Sequence, residues 1–305
     1  MPDRAFRMNH RAVVLLAVAI LCPFLLGGRL NAAQSNGVAV GPQYDSTHAY
    51  VAQQDVDRFV ASLVATFGGT TSKQGVFQVT PTPSQTISQI ALTPVGIVSV
   101  FGFKTPLPYP FGSERTGYLV TDLDLAIRQA RAAGADVLVE PFPDAIGRDA
   151  IVQWPGGVNM QLYWHTTAPH YAALTSNPEN RIYVSRDRAD AFVHRFVRFS
   201  HGKVTSDEKR APGAEIGRTG DTYRRIRIES TFGRITVFVT DGHLPYPYGR
   251  ELTGYEVGNL DETLDKARAA GVNILVQPRN LTDRTSAMVE FPGGYIAEIH
   301  TPLAH

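Results

Sequence analysis

The sequence predicts an α+β protein built from two tandem domains, and two observations predict it. The first is an internal repeat of domain size. LPYPFGSERTGYLV (residues 107–120) returns as LPYPYGRELTGYEV (residues 244–257), RAAGADVLVEP (131–141) as RAAGVNILVQP (268–278), and WPGG (154–157) as FPGG (291–294), all at one spacing. HAYVAQQDVDRFV (48–60) is paralleled by RIYVSRDRADAFV (181–193) at a slightly shorter one, so the second copy carries a few extra residues, placed near the loop between Lys209 and Gly220. A repeat this long exceeds the ~20–50 residues of a solenoid unit and reads as a duplicated domain. The second observation is the alternation, inside each copy, of short apolar runs with stretches of helical spacing. These give domains over residues 45–168 and 180–303, joined by a linker over 169–179 that contains Asn177-Pro178.

Each copy contains the order strand, helix, strand, strand, strand twice. In the first copy a strand over residues 49–52 leads into a helix on which Val56, Phe59, Val60, Leu63 and Val64 recur at helical spacing. Strands over 87–92 and 97–103 follow. The pattern restarts with a strand over 117–121 and a helix over 123–133, which Gly134 stops as its C-terminal cap. Strands over 137–139, 150–153 and 159–164 complete the copy. In the second copy Phe192, Val193 and Phe196 mark the helix, and strands are expected over 223–229 and 235–239. The prolines of the repeated LPYP segment suit an extended crossover between one unit and the next.

Composition bounds the function. Hydrophobic residues make up 43% of the chain and charged residues 19%, which suits a packed core, and the net charge of +1 leaves no basic excess to steer nucleic acid. The N-terminus differs from the rest. Arg4, Arg7 and Arg11 precede the apolar run AVVLLAVAILCPFLL (residues 12–26), and small residues follow at Ala32-Ala33. This reads as a signal for export to the periplasm or the extracellular space over residues 1–33, with cleavage after Ala33 or Ala39. The rival is an uncleaved anchor, the one way this chain would meet a membrane, although Pro23 interrupts a run already short of the ~20 residues a span needs. The single cysteine, Cys22, lies in this segment, so a cleaved chain has no disulfide and no thiolate ligand.

The AAG that ends a helix before a short apolar strand and proline, together with the closing patterns PGGYIAEI (292–299) and PGGVNMQL (155–162), resembles the vicinal-oxygen-chelate superfamily. Its members include glyoxalase I, extradiol dioxygenases, fosfomycin-resistance proteins and bleomycin-binding proteins. The resemblance covers nearly the whole chain after the N-terminal segment. It implies that each domain pairs two βαβββ units whose mixed sheets curve into a cup. It further implies a divalent ion (Fe, Zn, Mn or Ni) held from the first, fifth and eighth strands. Carried over residue by residue, those positions are His48, Arg115 and Gln161 in the first copy and Arg181, Leu252 and Glu298 in the second. Neither copy keeps a full set of three ligands, so the alternative of no metal stays open.

Further candidates stand beside these. His300 lies two residues after Glu298, on the same face of a strand, where a Glu-x-His pair could bind a metal or move a proton. His243 replaces Pro106 of the first copy and would reach the metal only if its loop folds over the cup. Arg181, Tyr246, Tyr255 and Trp154 offer a cation and aromatic surface to a ligand. Asp149, before a strand, reads as a turn residue. No phosphate loop, nucleophile elbow or dinucleotide fingerprint is present. Two function classes follow. One is an exported, metal-assisted enzyme of glyoxalase or dioxygenase type acting on a small oxygenated molecule, with Glu298 and His300 catalytic and His48, Gln161, Glu298 and His243 as metal candidates. The other is a metal-free protein that binds or sequesters a small molecule. His243 and Glu298 point to the second domain as the active one. Since two fused domains can satisfy each other's pairing, a monomer or weak homodimer is expected.

Overall fold

A computed structural model describes residues 37–303. The expected export segment, residues 1–33, lies outside them. The first βαβββ unit comprises β1 (Ser46–Tyr50), α1 (Val56–Phe67), β2 (Thr70–Thr71), β3 (Gly75–Phe77), β4 (Thr86–Thr93) and β5 (Gly96–Phe103). The second comprises β6 (Thr116–Leu119), α2 (Leu123–Ala133), β7 (Asp136–Pro143), β8 (Gly147–Trp154) and β9 (Val158–His165). The third runs through β10 (Glu179–Ser185), α3 (Arg186–Ser200), β11 (Lys203–Pro212), a 3-10 turn (Gly213–Ile216), β12 (Thr222–Ser230) and β13 (Gly233–Thr240). The fourth holds β14 (Leu252–Glu256), α4 (Leu260–Ala269), β15 (Asn273–Asn280), β16 (Arg284–Phe291) and β17 (Tyr295–Pro302). The first unit departs from the predicted rhythm. Its second strand is split into β2 and β3, both paired with β4, because GGTTSKQGVF lacks the apolar alternation of a continuous strand.

Local chemistry explains the helix ends. The Asp122 carboxylate accepts the backbone N–H of Leu125 and the Asn259 side chain that of Glu262, capping α2 and α4. Gly134, at φ 97°, closes α2 in the left-handed conformation that glycine adopts without a Cβ clash.

The two sheets share one topology. The first runs β2-β4-β5-β1-β6-β9-β8-β7 and the second β11-β12-β13-β10-β14-β17-β16-β15. In each, two units meet through a short antiparallel contact of first strands, Ser46 opposite Gly117 and Glu179 opposite Gly254. The strands flanking that seam pair in parallel. These are two tandem α+β domains with curved mixed sheets, as the sequence predicts.

The core joins the halves. One apolar cluster combines Phe59 and Leu63 of α1 with Leu264 of α4 and Phe291 and Ile299 of the last two strands. The other combines Ile127 of α2 with Phe192, Phe196 and Phe199 of α3, around Trp154. The first unit therefore packs on the fourth and the second on the third. All four helices lie on the core side of the sheets, which leaves the opposite faces free as cups. Trp154, expected to line a ligand pocket, is only 1% exposed within the second cluster, and Tyr255 is fully buried in the first with its hydroxyl 3.0 Å from that of Tyr295. Both fall on the core side of their strands, because strand side chains alternate between faces and one residue decides the side.

Phe196 stacks on Phe192 at 5.7 Å and meets Trp154 edge-on at the same distance. Truncation by Phe196→Ala should cost about 3–5 kcal/mol through lost contact and an unfilled cavity. Because the cluster draws on both halves, urea unfolding followed by fluorescence and by far-UV circular dichroism should give one coincident transition, displaced as a whole in the variant.

Candidate functional site

Side chains that alternate away from the core line the cups. On β1, Ala49 enters the core while His48 and Tyr50 face the first cup; on β5, Val98 and Val100 enter the core while Ser99 and Phe101 face it. From the other unit come Asp149 of β8 and Gln161, Tyr163 and His165 of β9. The segment through Ser72, Lys73, Phe77 and Val79 and the turn at Asp144, Ala145 and Ile146 complete the wall. The result is a cavity of about 290 Å³.

His48 is 2% exposed. Its Nδ1 lies 3.5 Å from Oε1 of Glu114, a carboxylate with no exposed surface, which also accepts the Tyr50 hydroxyl. The other Glu114 oxygen has no hydrogen-bond partner. On the opposite ring edge, a Cβ placed on Gly117 would come within 2.5 Å of His48 Nε2. Arg115, near which the fifth-strand position was expected, accepts the His48 backbone N–H at 2.9 Å, while the residue that His48 Nε2 faces is Gly117, two positions on and bare. Asp149 is 6% exposed and bonds Gln161; burial, with Asp144 nearby, pushes its carboxyl well above the usual carboxylate range. It is a wall residue of the cavity, not merely the turn residue expected. The sequence reading missed Glu114 and this role of Asp149.

The second cup is closed. Arg181, at the position of His48, is 4% exposed and donates to Glu215 Oε1 at 3.2 Å and to Glu179 Oε2 at 3.5 Å, with Glu298 Oε1 at 4.0 Å. Its guanidinium lies 4.7 Å over the Phe238 ring. Arg284 donates to Glu179 at 2.6 Å. Glu298 has both oxygens engaged, one accepting Ser286 Oγ at 2.6 Å and the other 2.7 Å from His300 Nδ1. Glu215, carried on the 3-10 turn that follows the lengthened β11 segment, also accepts Tyr223 and Arg225. Only about 10 Å³ remains, barely one water site. Burial alone would raise the Glu298 carboxyl, but Arg181, His300 and Arg284 outweigh it and hold it at about 2.

The expected residues thus separate into groups. Glu298, His300 and Arg181 converge, as members of an ion-pair network. His48 and Gln161 converge in the first cup. His243 is exposed on its loop, where its backbone N–H donates to Asp241 Oδ1 at 3.1 Å, and it does not fold over the second cup. Tyr246 is 62% exposed, with its hydroxyl 3.3 Å from Glu290.

Neither donor set fits a divalent ion. At the three expected ligand positions the first cup offers one imidazole and one amide across a bare glycine, and the second a carboxylate already saturated beside a guanidinium. Among the described residues no group of three or more His, Cys, Asp or Glu side chains is placed to hold a metal.

Breaking the second cup's network should be costly, because it strands a buried guanidinium. Glu298→Gln should lower stability at neutral pH by about 3–5 kcal/mol. The Glu298 carboxyl is depressed in the folded state, so its contribution is full above the ordinary carboxylate range and fades as pH falls toward about 2. Urea unfolding of both proteins at pH 7 and pH 3 should show the gap between them narrowing at the lower pH.

No family model matches the chain, and no curated protein does. Solved structures do. A triple mutant of 4-hydroxymandelate synthase from Streptomyces coelicolor superimposes over 88% of this chain and 93% of its own, at 12% identity and a TM-score of 0.57. A xylose isomerase-like TIM barrel/4-hydroxyphenylpyruvate dioxygenase fusion protein matches 88% of this chain and 50% of its own, at 13% identity and a TM-score of 0.55. The Mn(II)-bound glyoxalase from Novosphingobium aromaticivorans covers 87% of this chain and 82% of its own, at 14% identity and a TM-score of 0.50. At such identities the likeness is one of fold alone: these chains share the architecture of paired, curved mixed sheets described above.

Proposed function

We propose that this chain binds a small, largely apolar molecule in the cup of its first domain without a resident metal, and that the second domain's cup is structural. The observation that carries this reading is the contrast between the cups, a cavity of about 290 Å³ against one of about 10 Å³. The open cup has the character of a small-ligand pocket: half of its lining residues are aromatic or aliphatic, and polar groups converge among them. The donor chemistry supports independence from metal, since His48 and Gln161 face each other across Gly117, which supplies no donor at the third position. The active half is thus the first, against the expectation that His243 and Glu298 mark the second.

Fluorine NMR with 4-fluorophenol as probe tests the site. Saturable broadening is expected in the wild type, retained in Tyr246→Ala on the exposed loop and lost in Ser99→Trp, which fills the cavity from β5. Equal broadening in Ser99→Trp would sink the reading. The metal arm is separate. An ion bound at a hundredfold excess over its Kd would stabilise the fold by about 2.7 kcal/mol, so a rise of several degrees in Tm with Mn(II), Fe(II), Zn(II) or Ni(II) would refute independence from metal.

The same reading includes export and a monomeric state. The basic and then apolar N-terminus supports the first, and the pairing of α1 with α4 and of α2 with α3 within one chain supports the second. Secreted protein should begin after Ala33 or Ala39 by N-terminal sequencing and scatter light at the monomer mass.

A further inference from the structure

Resting on the reading of the first cup as a binding site, we infer that its ligand is a small organic cation, an ammonium group carried on an aromatic or branched aliphatic body. The wall supplies what such a cation needs. Tyr50 and Phe101 pack with ring centroids 5.1 Å apart, and Tyr163, Phe111 and Tyr171 add further rings around the same space. Aromatic faces carry negative quadrupole density and attract ammonium groups most strongly where water is excluded.

Charge points the same way. Asp149 and Asp144 line the cavity, and Glu114 stands behind His48 with one oxygen unpartnered and no exposed surface. The only lysine on the wall, Lys73, is exposed, and no arginine lines it. An anionic ligand would meet carboxyls with no guanidinium to answer them. The second cup makes the comparison direct: there the strand position of His48 holds Arg181, and carboxylates have closed around it. In the first cup the carboxyls are present and no buried ammonium or guanidinium of the chain faces them.

One consequence distinguishes this reading from a merely greasy pocket. In the empty cup burial and the nearby Asp144 and Glu114 charges disfavour the ionised form of Asp149. A bound cation reverses that preference and drives the proton off. Asp144, His48, His165 and Lys73 face the same space.

Isothermal titration of the whole chain with benzyltrimethylammonium, benzyl alcohol and benzoate at neutral pH separates the classes. The cation should bind about ten-fold or more tighter than the alcohol, and benzoate should not bind measurably. Its apparent enthalpy should vary with the ionisation enthalpy of the buffer, reporting proton release. Asp149→Asn should abolish the buffer dependence and reduce the preference over the alcohol to about three-fold or less. The selectivity and proton release of the wild type stand as tests even if that variant folds poorly. Benzyl alcohol binding as tightly as the cation, with both lost in Ser99→Trp, would overturn the cation while leaving the site intact. Binding of none of the three probes would overturn the cation together with the site.

Discussion

A guanidinium buried at Arg181 sets the difference between the two halves. Arginine cannot shed its proton to suit an apolar environment, so burial obliges the fold to supply carboxylates. Glu179, Glu215 and Glu298 supply them. Those carboxylates bring their own needs, met by Arg284, Arg225, Tyr223, Thr236 and Ser286. Each partner added to satisfy the last takes up cup volume, and the network ends only when the space is gone. Histidine at the equivalent position imposes no such chain of demands, because it can stay neutral. His48 draws one carboxylate, Glu114, to its Nδ1 side, outside the cavity lining, and the cup remains open.

Both cups depend on the same bare position. Gly117 and Gly254 occupy the strand beside His48 and Arg181, and a Cβ at Gly254 would come within 2.6 Å of Glu298 Oε2. Removing the side chain there lets first-strand and eighth-strand groups approach across the seam. It also leaves that strand without a side chain where a third donor would stand, so the missing donor and the close side-chain approach are one structural fact.

The repeat, the helix caps and the apolar faces made the architecture readable from sequence, since each rests on local chemistry. Asp122 and Gly134 bracket α2 as their residue types dictate, and the spacing of Val56, Phe59, Val60 and Leu63 marks the buried face of α1. The site was less readable for reasons equally specific. Whether Tyr255 or Trp154 faces a cup turns on a single residue of strand alternation. Glu114 lies before β6, where no periodicity marks it as buried. Glu298 and His300 have the same spacing whether they hold a metal or join an arginine-carboxylate network, and only the convergence of Arg181 and Arg284 from other strands decides between the two.

Where the copies agree and where they differ follows from what each segment does. The LPYP loops link β5 to β6 and β13 to β14, the step from one unit to the next, and that step is the same in both sheets. Because the helices of the two halves pack against each other on the core side, sequence drift on the cup side leaves the shared core untouched. The segment after the first helix of each copy faces the cup instead, and it is there that the lengths diverge. In the first copy it forms β2 and β3 and walls an open cavity; in the second it forms β11 and the turn that delivers Glu215 to Arg181. Duplication thus provided two cups on one framework, and the segment free to change length determined which of them could still admit a ligand.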